Sequence, residues 1–455
     1  MGRCCKIAVL LTTVFFFTSL ALGQNSTTSE LPPRVLPLPN PGVGEVQGLL
    51  IHKENAPYYK DLIIPELYHL IRFQSAVVDA ARSLRYEWKA DSDWLQNTQE
   101  LFDKSIKLSE QGTYPFSTEA EVGAPFGNAS LIEKQWEDYS ALSEQGRSNS
   151  DFPLRLLWNL KSQFWSQGLI DLDFTLQWLA NGKAWRDVRG KFQRVYPWII
   201  DPTSKLPQIF REKIQLTEPA ALRDLIWLTY RFQHKDEDVV WVYSPAIKKV
   251  RQLTGSNRAD SLFTSSVSSE DFLTWSGKTS YVRATVLSRK LALVPFESAE
   301  MRDLSLGVDS CYRVDGSVTD TLHWNFATRK FKSSASWLPT NSIFVPRYLY
   351  EIELVNKDDP YSLYGRQILY VEEESFLPVY KIVYDRAGRH WKTIISAYGL
   401  AATKDRRKKV PFPAYSIVLD KIEKKEFVLD YNQVRYCNGY TNELGIDSFN
   451  PNKLP

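Results

Sequence analysis

Short runs of alternating apolar and polar residues, each closed by turn residues, recur through most of this chain, and the sharpest is Val239 to Ser244 (VVWVYS). Side chains of a strand point to opposite faces with period two, so Val239, Trp241 and Tyr243 share one face and Val240 and Val242 the other. Pro245 has no N–H for a ladder, which makes SPAIKK the corner before the next strand, Lys249 to Leu253. Beyond it the sequence predicts a polar loop. Upstream, Leu222 to Phe232 reads as a strand returning through the polar turn at 234–237. Asp171 to Leu179 and Trp185 to Tyr196 flank Asn181-Gly182, a hairpin dipeptide. Downstream, Tyr348 to Val355, Gln367 to Val371, Pro378 to Tyr384, His390 to Tyr398, Ala414 to Leu419 and Glu426 to Tyr431 continue the series, with Asp385-Arg386-Ala387-Gly388 as one of the turns. Strands joined by short turns form a meander, and a large curved meander has a concave side. The fold class expected is mainly β (α+β).

Helical signals are confined to the first third. Asn55 is placed to cap a helix through Tyr58, Leu62, Leu67 and Leu70, and Pro65 divides it into two short pieces. From Ser75 to Glu110, Trp94, Leu95, Phe102, Ile106 and Leu108 recur loosely at helical spacing, which is ordinary for a core-facing stripe.

The amino terminus has the parts of a secretory signal: Arg3 and Lys6, an apolar stretch from Ile7 to Leu20, and small residues at Ala21 and Gly23, with cleavage expected after Gly23. The apolar stretch falls short of the ~20 residues needed to span a bilayer. Residues 24–47 are rich in Pro, Ser, Thr and Gly and read as a linker. Residues 48–455 are then expected to form a single large domain. The full chain of 455 residues has a formal charge of +3, and loss of Arg3 and Lys6 from its 56 basic residues leaves 54 against 53 acidic ones. A near-neutral chain makes no electrostatic case for nucleic acid. Cys311 and Cys437 are the two cysteines after the signal; in an oxidising compartment they either pair or remain two buried thiols. The sequons at Asn25 and Asn128 matter only in a eukaryotic secretory pathway.

Catalytic patterns are missing from the sequence. There is no G-x-S-x-G, H-E-x-x-H or paired C-x-x-C, and the five histidines, 52, 69, 234, 323 and 390, are scattered. Ser276-Gly277-Lys278-Thr279 resembles the end of a phosphate-binding loop, but Phe272 stands where that loop needs its first glycine. Ser269-Glu270-Asp271 reads as a solvated turn or a helix start in preference to a metal site. Neither a cofactor nor a metal is expected, and the protein is not expected to be an enzyme.

The run DVVWVYSPAIKKVRQL followed by SSVSSEDF resembles the W-x-Y-x-P-x-x-x-x-V-R, serine-rich, E-D signature of LolA-like periplasmic proteins, the outer-membrane lipoprotein-sorting family. IHKENAPYYKDLI near residue 51, GAPFG at Gly123 and YGRQILYVEEESFLPVYKIVYDRAGRHWK from Tyr364 are similar to its long branch, catalogued as a domain of unknown function and often encoded beside RND-type exporters. The resemblance implies a strongly curved antiparallel sheet, an incomplete barrel, with helices covering its open side. It also implies a lipid-like hydrophobic ligand between sheet and helices, a periplasmic location in a Gram-negative bacterium, and an RND-type exporter or outer-membrane protein as partner. Trp227, Trp241 and Tyr243 are the candidate cavity-wall residues, or else sheet residues packed beneath a helix. Lys248, Lys249 and Arg251 would meet an anionic head group or an acidic partner surface, or else guard a sheet edge. Lys404 to Lys409 (KDRRKK) reads as an exposed turn, with anionic lipid as the other reading. The alternative function is a structural or adaptor subunit of an envelope transport complex whose cavity is filled by side chains.

Overall fold

A computed structural model describes residues 36–43, 46–95, 129–162, 168–180, 183–201, 206–232, 238–253, 261–316, 335, 337–339, 342–357, 362–441 and 444–455. The signal segment, most of the linker, both sequons, the 234–237 and Asn181-Gly182 turns and the later part of the expected 75–110 helix lie outside them.

The described residues contain a 17-stranded sheet. In chain order its strands are β1 (Leu49–Ile51), β2 (Val78–Ala80), β3 (Leu169–Ala180), β4 (Lys183–Val195), β5 (Gln208–Glu218), β6 (Ile226–Phe232), β7 (Val239–Ser244), β8 (Lys249–Leu253) and β9 (Val282–Phe296). There follow β10 (Arg302–Leu306), β11 (Cys311–Val314), β12 (Ile343–Asn356), β13 (Tyr364–Glu372), β14 (Pro378–Asp385), β15 (His390–Ala402), β16 (Lys409–Asp420) and β17 (Lys425–Cys437). β3 to β8 form one antiparallel meander and β12 to β17 another. The two meanders join where β17 pairs with β3, and β9 runs antiparallel along β12 at the far end. Among the described residues β8 pairs with β7 alone, and β9 pairs with β12 and meets β15 at one residue, with no ladder between β8 and β9. It is a large curved sheet that stays open, as an incomplete barrel does.

Each predicted run lies on a strand, several of them longer, but β6 begins late, at Ile226, and β5 and β9 lie outside the predicted runs. β12, β15, β16 and β17 each extend past their predicted runs because a ladder partner lies alongside and satisfies the backbone there. The break at Pro65 also appears: a 3-10 turn, Ala56–Leu62, precedes α1 (Pro65–Phe73). The expected helix from Ser75 does not begin there. Val78–Ala80 is extended instead, antiparallel to β1 and parallel to the start of β12, so tertiary pairing overrides a loose helical spacing. Further along the expected stretch residues 92–95 are helical, with Trp94 buried, and the other helices are α2 (Ala129–Ser140), α3 (Glu144–Ser148), α4 (Phe152–Ser162) and a short α5 (Pro197–Ile200). Tyr139, Phe152, Leu156 and Leu160 pack with Tyr350, Ile352, Leu354 and Leu369 of β12 and β13. Leu369 lies opposite Lys381 of β14, so these helices share a sheet face with Lys381, called the inner face below.

Candidate functional site

The connection between the two edge strands covers the inner face. Residues 261–279, between β8 and β9, are buried almost throughout. The polar loop expected here is therefore an internal segment. Its apolar residues meet rings of the sheet: Phe272 stacks on Phe192 at 5.4 Å and meets Phe174 edge-on at 5.6 Å, and Phe263 meets Trp227 edge-on at 5.0 Å. Gly190 leaves room for this layer, since a Cβ there would stand 2.8 Å from the Phe174 ring. Its polar residues bond to inner-face hydroxyls and acids. Thr274 Oγ1 donates to Ser396 Oγ at 2.7 Å, the Leu273 N–H donates to Tyr431 at 3.3 Å, and Ser266 Oγ donates to Asp420 at 2.5 Å.

Asp271 anchors the segment. Its carboxylate accepts from Lys381 Nζ at 2.8 Å, Lys392 Nζ at 3.2 Å, the Tyr364 hydroxyl at 2.8 Å and the Ser268 N–H at 2.9 Å. Burial alone would raise this carboxyl, but Lys381 and Lys392 outweigh it and hold Asp271 well below the usual carboxylate range. Lys392 moves down, because its desolvation and the nearby Lys381 exceed the attraction of Asp271. Tyr364 is pushed well up by burial and by the Asp271 charge. The Ser269-Glu270-Asp271 run does start a short 3-10 helix, as read from the sequence, but it is not solvated: Asp271 is 1% exposed.

Four non-glycine residues of the segment, Phe263, Thr264, Leu273 and Thr274, have positive φ. Such backbone costs ~1–3 kcal/mol per residue and persists where the surroundings over-determine it. Two adjoining cavities flank the segment. A smaller one of about 30 Å³ lies between α4, β4 and residues 273–279, lined by Lys161, Arg194, Arg231, Trp275 and Lys278. A larger one of about 220 Å³ adjoins it, sharing Phe210, Arg231 and Ser276, and is lined also by Trp227, Val240, Leu253, Leu262 and Glu270.

Of the residues singled out in sequence, Trp227 lines the larger cavity and Trp241 and Tyr243 do not. Trp227 stands opposite Val242, which puts it on the Val240 and Val242 face, toward the inside. Trp241 and Tyr243 belong to the opposite face, where Trp241 meets Tyr230 edge-on at 4.8 Å. The shared aromatic layer expected for the three is thus corrected: period-two alternation separates neighbours in sequence, and bulk does not decide which face turns inward. Lys248 lies in the exposed turn after β7, and Lys249 and Arg251 are exposed on the edge strand β8. Arg251 stands across from Val242. Cys311 and Cys437 face each other across β11 and β17 and form a disulfide. In the Lys404 to Lys409 run, residues 404–407 are exposed while Lys408 turns inward, 3.6 Å from Asp91. Lys381, Lys392, Lys161 and Arg194 were not legible as a site, because lone cations scattered over three strands and a helix carry no spacing signal. Among the described residues no group of three or more metal-ligating side chains converges.

A family model described as "Protein of unknown function (DUF1329)" matches residues 50–454. No curated protein matches the chain. Similar solved structures include a putative outer membrane lipoprotein-sorting protein domain from Vibrio parahaemolyticus, at 15% identity and a TM-score of 0.45, covering 67% of this chain and 99% of that one. A DUF1329 family protein from Desulfovibrio piger is 17% identical with a TM-score of 0.44, covering 66% of this chain and 96% of that one. A LolA superfamily protein from Nitrosomonas europaea is 15% identical with a TM-score of 0.38, covering 65% of this chain and 98% of that one.

Proposed function

The chain belongs to the DUF1329 family, and from that premise we propose that it is a non-enzymatic periplasmic carrier that holds a hydrophobic, lipid-like ligand between the inner face of its sheet and its covering segments. One observation carries the reading: the inner face of the sheet is covered by a strand-to-strand connection, residues 261–279, with two adjoining cavities against it. Strained backbone with adjoining cavities leaves the segment room to shift, although its Asp271 anchor must be broken or kept as a hinge when it does. Each methylene taken out of water is worth ~0.8 kcal/mol, so a carrier of acyl chains needs a dry wall of this kind. The larger cavity, about 220 Å³, is below the ~300–1,000 Å³ usual for ligand pockets. Loading therefore requires the segment to move. Among the described residues no helix is long and apolar enough to cross a membrane, and the signal segment read from the sequence supports export. An RND-type exporter or an outer-membrane protein is the partner proposed for loading or delivery.

The occupied interior also favours a second reading, in which the segment never leaves and the protein is a structural or adaptor subunit of a transport complex. Mass spectrometry of organic extracts from the purified mature protein, with uptake of a fluorescent fatty acid, separates the two. Co-purified lipid and saturable uptake are expected; repeated absence of both leaves the adaptor.

A further inference from the structure

We propose that the smaller cavity is an anion subsite that receives the carboxylate head of a long-chain acid, which makes the cargo an anionic amphiphile. This rests on the carrier reading and specifies its ligand class. Lys161, Arg194, Arg231 and Lys278 line the cavity, and among the described residues no carboxylate does. The acids that belong to the two arginines stand elsewhere. Glu212 accepts from Arg194 Nε at 2.8 Å, Asp238 accepts from Arg231 Nε at 3.0 Å, and both acids line the larger cavity together with Glu270. Arg231 borders both cavities, but the three acids line only the larger one, so the smaller cavity is walled by cations and the larger by both signs.

Two groups in the smaller cavity lack what an anion would supply. Lys161 lies over the Trp275 ring at 4.9 Å, and among the described residues no carboxylate is within ion-pair distance of it. Trp275 is 2% exposed and its indole N–H is buried without an acceptor. Gly277 lies against that indole, where a Cβ would come within 2.6 Å of the nitrogen. A buried donor left unsatisfied costs ~1–3 kcal/mol, so both groups are poised for an acceptor from outside the chain. Burial, and then repulsion by Arg231, Arg194 and Lys278 against the attraction of Asp238, hold Lys161 well below the usual lysine range. A bound anion reverses that balance.

Size favours a carboxylate. About 30 Å³ of space accommodates about two waters, matching the two oxygens of a carboxylate more closely than a bulkier phosphate. Trp158, Leu160, Ile209, Phe210 and Leu273 provide the apolar wall against which the start of a chain would lie.

The test is direct binding, followed by tryptophan fluorescence and calorimetry, of hexadecanoic acid, hexadecanol and acetate to the full mature protein at neutral pH, with Lys161→Met alongside. Charge-assisted hydrogen bonds to the head group predict that the acid binds about tenfold or more tighter than the alcohol. Lys161→Met should weaken the acid more than the alcohol and so remove most of that difference. Equal binding of acid and alcohol to the unmodified protein overturns the anion subsite while sparing the carrier, and this comparison does not depend on any variant folding. Binding of acetate as tight as the long acid overturns the amphiphile and points to a small soluble anion. If none of the three binds, the carrier reading falls and takes the subsite with it.

Discussion

Asp271 Oδ1 lies 2.8 Å from Lys381 Nζ, and neither side chain is exposed at all. Lys392 reaches the other carboxylate oxygen at 3.2 Å. One acid on the internal segment thus faces two cations on adjacent strands, β14 and β15, and the segment is held to the sheet by charge at its middle and by rings to either side.

Asp271→Asn should destabilise the protein by about 3–5 kcal/mol, because it keeps the shape but leaves two buried lysines without a counter-charge. Chemical denaturation reads the loss, and limited proteolysis should show earlier cleavage within residues 261–279. Combining Asp271→Leu with Lys381→Met and Lys392→Met should recover much of the stability. A single-variant cost below about 1 kcal/mol would remove the anchoring role.

The two tryptophans that sequence reading grouped together should behave differently. Trp227→Ala removes the contact with Phe263 and should expose residues 261–279 to protease. Trp241→Ala removes the contact with Tyr230 on the other face, lowering stability by about 1–3 kcal/mol with the segment still protected. Equal proteolytic patterns for the two variants would contradict the assignment of faces.

Replacing Cys311 and Cys437 by serine should cost about 2–5 kcal/mol, since the bridge joins positions 126 residues apart and restricts the unfolded chain. Thermal melts of the oxidised protein, the reduced protein and the double variant measure this. The reduced protein and the variant should agree.

His390 supplies a pH signature. Burial, then the positive Lys421 nearby, lower it from 6.5 to about 4. Its folded value lies below its unfolded one, so as pH falls the unfolded state takes the proton first. Stability should decline between about pH 6.5 and 4 and level off below, by ~1–2 kcal/mol once the partial exposure of the ring is allowed for. His390→Gln should flatten that part of the difference in denaturation free energy across pH 4–7, and an unchanged slope would assign it to other groups.

Much of the framework was legible. Val239 to Ser244, Pro245 and Lys249 to Leu253 foretell β7, its end and β8, because strand alternation and the missing proline N–H act on the residues that carry them. The helical cover was legible only in part. Val78–Ala80, at the start of the stretch read as helical, met strand partners at β1 and β12, whereas Trp94 and Leu95 do lie on helical residues, 92–95, and pack with α2 and α4, which lie further along.

By itself, the sequence determined where backbone would be extended, where it would turn, and that two cysteines were available to pair. Which side of each strand faces inward, and what lies against it, was decided only by the tertiary structure. Alternation distinguishes two faces without ranking them, so the inner position of Trp227 and the outer position of Trp241 depend on register with β6 and on the segment that returns across it. Asp271 meets Lys381 from 110 residues away. An electrostatic contact at that separation has no local period or spacing to announce it, and a stretch that looked polar enough for solvent is buried because the fold brings its counter-charges to it.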